Sequence, residues 1–161
     1  MSELRGCTFP DDLLYWPENH LWFRRDADGD GLLTVGITPL GLALSGEIIL
    51  FSPKPLGVEL DPGRSFALLE AGKTVFPIKT PLAVRMVDAN PALDPLAAPL
   101  NKDPYGVWLA RLAPLDWEGQ RGALLSYAEA RGEFERIMDV YGFTDPATFT
   151  PPLTMEHLRD Y

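Results

Sequence analysis

The fold is decided by the stretch Phe66-Ala67-Leu68-Leu69-Glu70-Ala71-Gly72-Lys73-Thr74-Val75-Phe76-Pro77-Ile78. Two apolar runs of strand length flank the four residues Glu70-Ala71-Gly72-Lys73, and glycine readily adopts the positive φ that a tight hairpin turn often requires. The pattern therefore predicts a β-hairpin with Lys73 at an exposed turn. A primary amine held in this way is suited to acylation by a modifying enzyme that recognises the shape of the turn.

Three further segments accompany the hairpin in a fixed order: His20-Leu21-Trp22-Phe23, Thr34-Val35-Gly36-Ile37-Thr38 and Asn101-Lys102-Asp103-Pro104-Tyr105-Gly106. Together with Glu70-Ala71-Gly72-Lys73, they resemble the four ordered motifs of the glycine cleavage system H protein family. In that family the hairpin is the lipoyl-attachment site and usually has the sequence Glu-Ser-Val-Lys. The resemblance extends from residue 16 to residue 115.

The resemblance implies a carrier component of a multienzyme system and not an enzyme. Lipoate would be attached covalently to Lys73, and Glu70 and Gly72 would help the attaching enzyme to recognise the hairpin. The implied partners are a lipoate ligase or lipoyl transferase and a dihydrolipoamide dehydrogenase. A heterodisulfide-reductase-like complex or the glycine cleavage enzymes would complete the system.

The identity of the carried group has several interpretations. The opening from Gly6-Cys7 to Trp16 and the Glu-Ala-Gly-Lys turn look more like the lipoate-binding proteins of heterodisulfide-reductase-like sulfur oxidation, so we favour a carrier of sulfur intermediates. The alternative is a glycine cleavage H protein that shuttles an aminomethyl group. A third hypothesis is an unmodified scaffold or binding protein, because Ala71-Gly72 and Ala83-Val84 depart from the family pattern. Biotin is disfavoured because its attachment lysine normally lies between methionines.

The closely spaced short strands predict a mainly β fold, and the resemblance implies a flattened β-sandwich, or barrel-sandwich hybrid, of lipoyl type. Residues 1–19 are predicted to be a lead-in with a short helical turn, and residues 20–115 to be the carrier domain. We expect a C-terminal helix over 116–143, packed on the domain, and a flexible tail over 144–161.

Composition excludes several functional classes. A chain of 161 residues that is 46% hydrophobic can form one domain with a substantial core. The net charge of -9 argues against nucleic acid as a partner. No apolar run reaches membrane-spanning length and no signal core opens the chain, so we expect no membrane association and a cytoplasmic location.

The remaining candidate groups do not form a catalytic or metal site in the sequence. The segment Asp26–Gly31 imitates the start of a calcium-binding loop, but Ile37 occupies the position of the bidentate glutamate, so we interpret it as an acidic hairpin turn. Cys7 is interpreted as a free thiol and His20 as a packed or hydrogen-bonded imidazole, while His157 lies in the predicted tail.

Overall fold

The computed structural model describes residues 1–26, 31–72 and 74–151. Within these ranges the chain is mainly β, as the sequence predicts. The strands are β1 (Ser2–Leu4), β2 (Cys7–Phe9), β3 (Leu14–Trp16), β4 (Leu21–Arg25), β5 (Leu33–Ile37), β6 (Leu50–Pro53), β7 (Glu59–Leu60), β8 (Ser65–Ala71), β9 (Thr74–Lys79), β10 (Val84–Ala89) and β11 (Ala110–Pro114).

The described strands form three antiparallel sheets. The largest has six strands in the order β3-β4-β5-β11-β10-β7, and a second has the order β6-β8-β9. The third is the N-terminal pair β1-β2. The hairpin predicted around Gly72 is therefore the β8–β9 pair, in which β9 is an edge strand.

The α-helices of the described residues are α1 (Pro39–Ser45), α2 (Ala98–Lys102), α3 (Trp117–Gln120) and α4 (Tyr127–Val140). Ser126 and Glu129 form a capping box at the start of α4, since each side chain accepts a hydrogen bond from the backbone N–H of the other residue. Gly142 follows the helix with a φ of 62°. None of the helices in the described part of the chain is long and apolar enough to cross a membrane.

The main core fills the space between the six-stranded and three-stranded sheets. Residues at alternating positions of both sheets are buried there, among them Phe23 and Val35 on the larger sheet and Ala67 and Leu69 on the smaller one. This alternation explains the mainly β sequence pattern, because each strand presents every second side chain to the core.

A second core lies on the outer face of the larger sheet, where the N-terminal strands and α4 meet. Phe9, Tyr15, Tyr127 and Phe134 form an aromatic cluster with ring centroids 4.4 to 6.4 Å apart. Aromatic pairs at such separations stabilise a core beyond the area they bury. The N-terminal strands and α4 therefore stabilise each other through this shared cluster.

The apolar run over 10–16 predicts the short helical turn of the lead-in, and this placement is wrong. Leu14–Trp16 forms β3, which pairs with β4 in the register Tyr15 to Trp22, and a 3-10 turn begins only at Pro17. Pairing with a strand that follows closely in the chain satisfies the backbone of this apolar run, and an isolated helical turn would not.

The continuous helix predicted from Asp116 is also wrong. The chain forms α3, a 3-10 turn over Arg121–Ala123 and then α4. The 3.6-residue spacing of apolar residues predicts that Leu125 lies on the buried face of this helix. In the structure its backbone exchanges hydrogen bonds with Tyr15 instead, at 2.7 and 2.9 Å. The division of the chain into a lead-in, carrier domain, helix and tail stays a prediction.

Candidate functional site

Strand β8 ends at Ala71 and β9 begins at Thr74, so Gly72 and Lys73 are the two residues between them in the sequence. Ala71 pairs with Thr74 directly before the loop, and Glu70 pairs with Val75 one step below. The strand therefore continues through two of the four residues that the sequence assigned to the turn. Lys73, the predicted attachment residue, lies outside the described residues.

Local backbone geometry explains the glycine of the loop. Gly72 has a φ of 60°, in the left-handed region that two-residue hairpin loops require. A Cβ added at Gly72 would meet no heavy atom within 4 Å. Glycine is therefore favoured here for its backbone conformation and not for lack of space, as the sequence predicts.

The hairpin is held firmly up to its last paired residues. Ala71 is 6% exposed and Thr74 is 4% exposed, whereas Gly72, the next residue after Ala71, is exposed. The core thus reaches the residues on both sides of the loop. Because the strands are packed up to these residues, little backbone entropy should be lost when another protein binds the end of the hairpin.

The outer face of the hairpin carries the second predicted recognition residue. Glu70 is half-buried on β8 and lies between Leu50 of β6 and Val75 of β9. One row further from the loop, the exposed residues Leu68 and Pro77 face each other across the hairpin. Ser52 of β6, which pairs with Leu68, is also exposed on this face. An attaching enzyme that contacts this face would therefore meet the Glu70 carboxylate beside both apolar and hydroxyl groups.

A set of contacts that sequence reasoning missed supports the β8 side of the hairpin. The N–H of Ile49 donates to the carbonyl oxygen of Glu70 at 2.7 Å. The side chain of Asn101 bonds both the N–H and the carbonyl oxygen of Ile48, each at 2.8 Å. The signal available in the sequence was that Asn101 belongs to one of the four ordered motifs.

The other sequence candidates lie apart from the hairpin strands. Cys7 is buried within β2, and burial raises the pKa of its thiol to about 11, so the thiol is protonated and a weak nucleophile at neutral pH. His20 is 5% exposed, and burial lowers its pKa to about 3, which keeps the imidazole neutral. The structure therefore agrees with a packed histidine.

No cluster of metal-ligating side chains occurs among residues 1–26, 31–72 and 74–151. Residues 27–30 of the acidic segment and His157 lie outside the described residues, so the interpretation of that segment as a simple turn stays a prediction. Lys79, the other lysine of the hairpin, lies at the far end of β9, and its backbone N–H donates to the side-chain oxygen of Asn19.

Comparison with known proteins supports the architecture described above. Residues 14–137 match the family model described as Glycine cleavage H-protein. The chain belongs to the glycine cleavage H-protein family. H proteins of this family carry a lipoate bound covalently to a lysine. The chain is thus a lipoyl carrier of the H-protein type.

Several H proteins are similar to this chain over most of its length. Glycine cleavage system H protein 5 of Aquifex aeolicus is 31% identical over 147 residues, which are 88% of this chain and 97% of the relative. H protein 2 of the same organism is 37% identical over 131 residues, 81% of this chain and 80% of the relative. The crystal structure of an H protein from Mycobacterium marinum has a TM-score of 0.66 at 29% identity, covering 78% and 98% of the two chains.

Proposed function

We propose that Lys73 of this H protein carries lipoate in amide linkage and that the protein acts as a non-catalytic carrier between the enzymes of the glycine cleavage system. The observation that supports the proposal is the β8–β9 hairpin, in which the buried residues Ala71 and Thr74 pair with each other and are separated in the sequence only by Gly72 and Lys73. Its partners would be a lipoate ligase or lipoyl transferase, the PLP-dependent decarboxylase, the folate-dependent aminomethyltransferase and dihydrolipoamide dehydrogenase.

The residues of the hairpin fit the attached group. The open space around Gly72 leaves room for an enzyme to approach the loop, and Glu70 offers a carboxylate two positions before Gly72. We assign both residues to recognition by the attaching enzyme. Lipoate supplies reversible dithiol–disulfide chemistry when it is bound. The protein supplies a fixed origin for the arm, so that tethering raises the local concentration of the carried group at each partner.

Glycine cleavage is preferred over sulfur oxidation because the two Aquifex aeolicus relatives described above are named as glycine cleavage system H proteins. This reverses the preference drawn from the opening segment and the Glu-Ala-Gly-Lys turn. No observation on the described residues favours a heterodisulfide-reductase-like complex as a partner. Carriage of sulfur intermediates would require a different partner enzyme, and none of the relatives described above is named for one.

The first test is intact-mass measurement after co-expression with lipoate-attachment enzymes, followed by peptide mapping. We expect one lipoyl group on the wild-type chain, none on Lys73→Arg, and an unchanged yield on the matched control Lys79→Arg. A wild-type chain that stays unmodified while another H protein is lipoylated would refute the carrier proposal and favour the scaffold hypothesis. A lipoyl group on Lys79 would refute the assignment of Lys73.

A second test addresses the pathway. The lipoylated protein should support glycine-dependent NADH formation when it is mixed with the three glycine cleavage enzymes, and Lys73→Arg should not. Deletion of the gene in its host should abolish growth that depends on glycine as a one-carbon source. Loss of thiosulfate oxidation with intact glycine-dependent growth would contradict the glycine assignment and support the sulfur pathway.

A further inference from the structure

The segment Ile48-Ile49 connects α2 to the hairpin through its own backbone. The carbonyl oxygen of Ile49 accepts a hydrogen bond from the N–H of Ala97 at 2.9 Å, and the N–H of Ile49 donates to Glu70 at 2.7 Å. Both backbone groups of Ile48 bond the side chain of Asn101. All four polar groups of this dipeptide are thus satisfied, three of them by residues at or next to α2.

The α2 side of this connection is anchored in the main core. Ala97 and Leu100 are fully buried, and Ile48 is 1% exposed. Asn101 is half-buried and follows Leu100 directly in the helix. Its amide therefore starts from a fixed backbone, and a planar amide that donates and accepts at once holds a peptide unit in one orientation.

The connection ends two residues from the exposed loop. Glu70, whose carbonyl oxygen receives the Ile49 N–H, precedes Ala71 and Gly72 in the chain. Because β9 is an edge strand of its sheet, the hairpin is paired with another strand only on the β6 side. The hydrogen bonds of Ile48-Ile49 extend this pairing toward the loop. We infer that Asn101 is a positioning residue for the acylated loop, acting through Ile48-Ile49 on β8.

This inference rests on the proposed acylation of Lys73. In this inference the motif that contains Asn101, although it is distant from the hairpin in sequence, fixes the position of the hairpin loop relative to the core. Misplacement of a reacting group by about 1 Å can cost about a hundredfold in rate. The attaching enzyme must bring an activated acyl group to one amine, so displacement of the loop should lower the rate of lipoylation.

The test compares Asn101→Asp with Asn90→Asp. Aspartate keeps the oxygen that accepts from Ile48 but replaces the Nδ2 donor with an acceptor that repels the Ile48 carbonyl oxygen. Asn90 is the matched control because it is also half-buried, and its Nδ2 donates to the carbonyl oxygen of Trp108 at 2.8 Å, next to β11 and not on the hairpin. Both variants lose the same kind of hydrogen bond.

We expect Asn101→Asp to lower kcat/KM for lipoylation by about tenfold or more, mainly in kcat, whereas Asn90→Asp should stay within about twofold of wild type. Both are assayed below their melting temperatures with a purified lipoate ligase. Equal lipoylation of the two variants would overturn the inference, because Asn101 would then be an ordinary structural residue. An unmodified wild-type chain would instead refute the proposed function.

A measurement on the wild-type protein keeps the inference testable if Asn101→Asp fails to fold. Hydrogen exchange should show the amides of Ile48 and Ile49 protected as strongly as those of β8, since opening either bond should require the hairpin support to open. Exchange of the Ile48 amide at the rate of an unstructured chain would show that the Asn101 contact is not maintained. That result would also overturn the inference.

Discussion

Replacement of Gly36 by alanine should be one of the most destabilising single-methyl changes in this protein. Gly36 lies on β5 directly opposite Trp22 of β4, and a Cβ at this position would lie under 3.0 Å from three ring atoms of Trp22. The indole cannot withdraw freely, because Trp22 is fully buried and its Nε1 donates to the carbonyl oxygen of Pro104 at 2.9 Å. The methyl group must therefore displace a packed, hydrogen-bonded ring.

The magnitude follows from these two contributions. Overpacking a filled core costs about 1–3 kcal/mol, and a buried donor left without its acceptor costs about 1–3 kcal/mol. We expect Gly36→Ala to lower the free energy of unfolding by about 2 to 6 kcal/mol. The assay is urea denaturation followed by tryptophan fluorescence and far-UV circular dichroism, with equal slopes confirming that the two proteins unfold comparably.

Gly132→Ala supplies a control of opposite sign. Gly132 is an exposed residue within α4, and a Cβ there would meet nothing within 4 Å. Alanine is favoured over glycine in a helix by about 1 kcal/mol, so this variant should be more stable than wild type. If Gly36→Ala were within about 0.5 kcal/mol of wild type, a typical limit for surface changes, the packing of Trp22 against β5 would be refuted.

Three further predictions concern the second core and the buried titratable groups. Phe134→Ala should lower the free energy of unfolding by about 3–5 kcal/mol, whereas Val140→Ala on the exposed side of α4 should have little effect; equal effects would contradict the aromatic cluster. Because burial lowers the pKa of His20 from 6.5 to about 3, the free energy of unfolding should decline as pH falls from about 6.5 toward 3. In urea titrations between about pH 5 and 6.5, His20→Asn should show a smaller decline than wild type. Because burial raises the pKa of Cys7 from 9.0 to about 11, its contribution to stability should be lost as pH rises through that interval, and a thiol reagent should label Cys7 rapidly at pH 7 only in the unfolded protein.

The hairpin was predictable from local sequence. The apolar runs on both sides of Gly72 specify two strands, and the demand for a positive φ specifies the glycine of the loop, so neither feature needs information from elsewhere in the chain. The same holds for β4 and α1, since the sequence pattern predicts a strand over Leu21–Arg25 and a short helix that starts at Pro39 and is closed by Gly46, and the structure agrees with both. The pattern also predicts strands over 47–51 and 107–112, which in the structure begin three residues later, as β6 (Leu50–Pro53) and β11 (Ala110–Pro114).

The errors occurred where pairing with another segment of the chain decides local structure. The apolar run around Tyr15 suits a helical turn or a strand equally well, and pairing with Trp22 and Leu125 decides for a strand. Leu125 likewise fits a helical spacing but bonds to Tyr15 instead. Propensity is a weak guide wherever tertiary hydrogen bonds satisfy the same backbone in another way.

By itself, the sequence determined the mainly β class, the hairpin around Gly72 and the likeness to H proteins, because these depend on residue types at short, regular spacings. Only the tertiary structure decided that Asn101 supports β8 through Ile48, and that Cys7 and His20 have shifted pKa values. Such properties depend on desolvation and on contacts between segments far apart in the chain, which arise only when the complete core assembles.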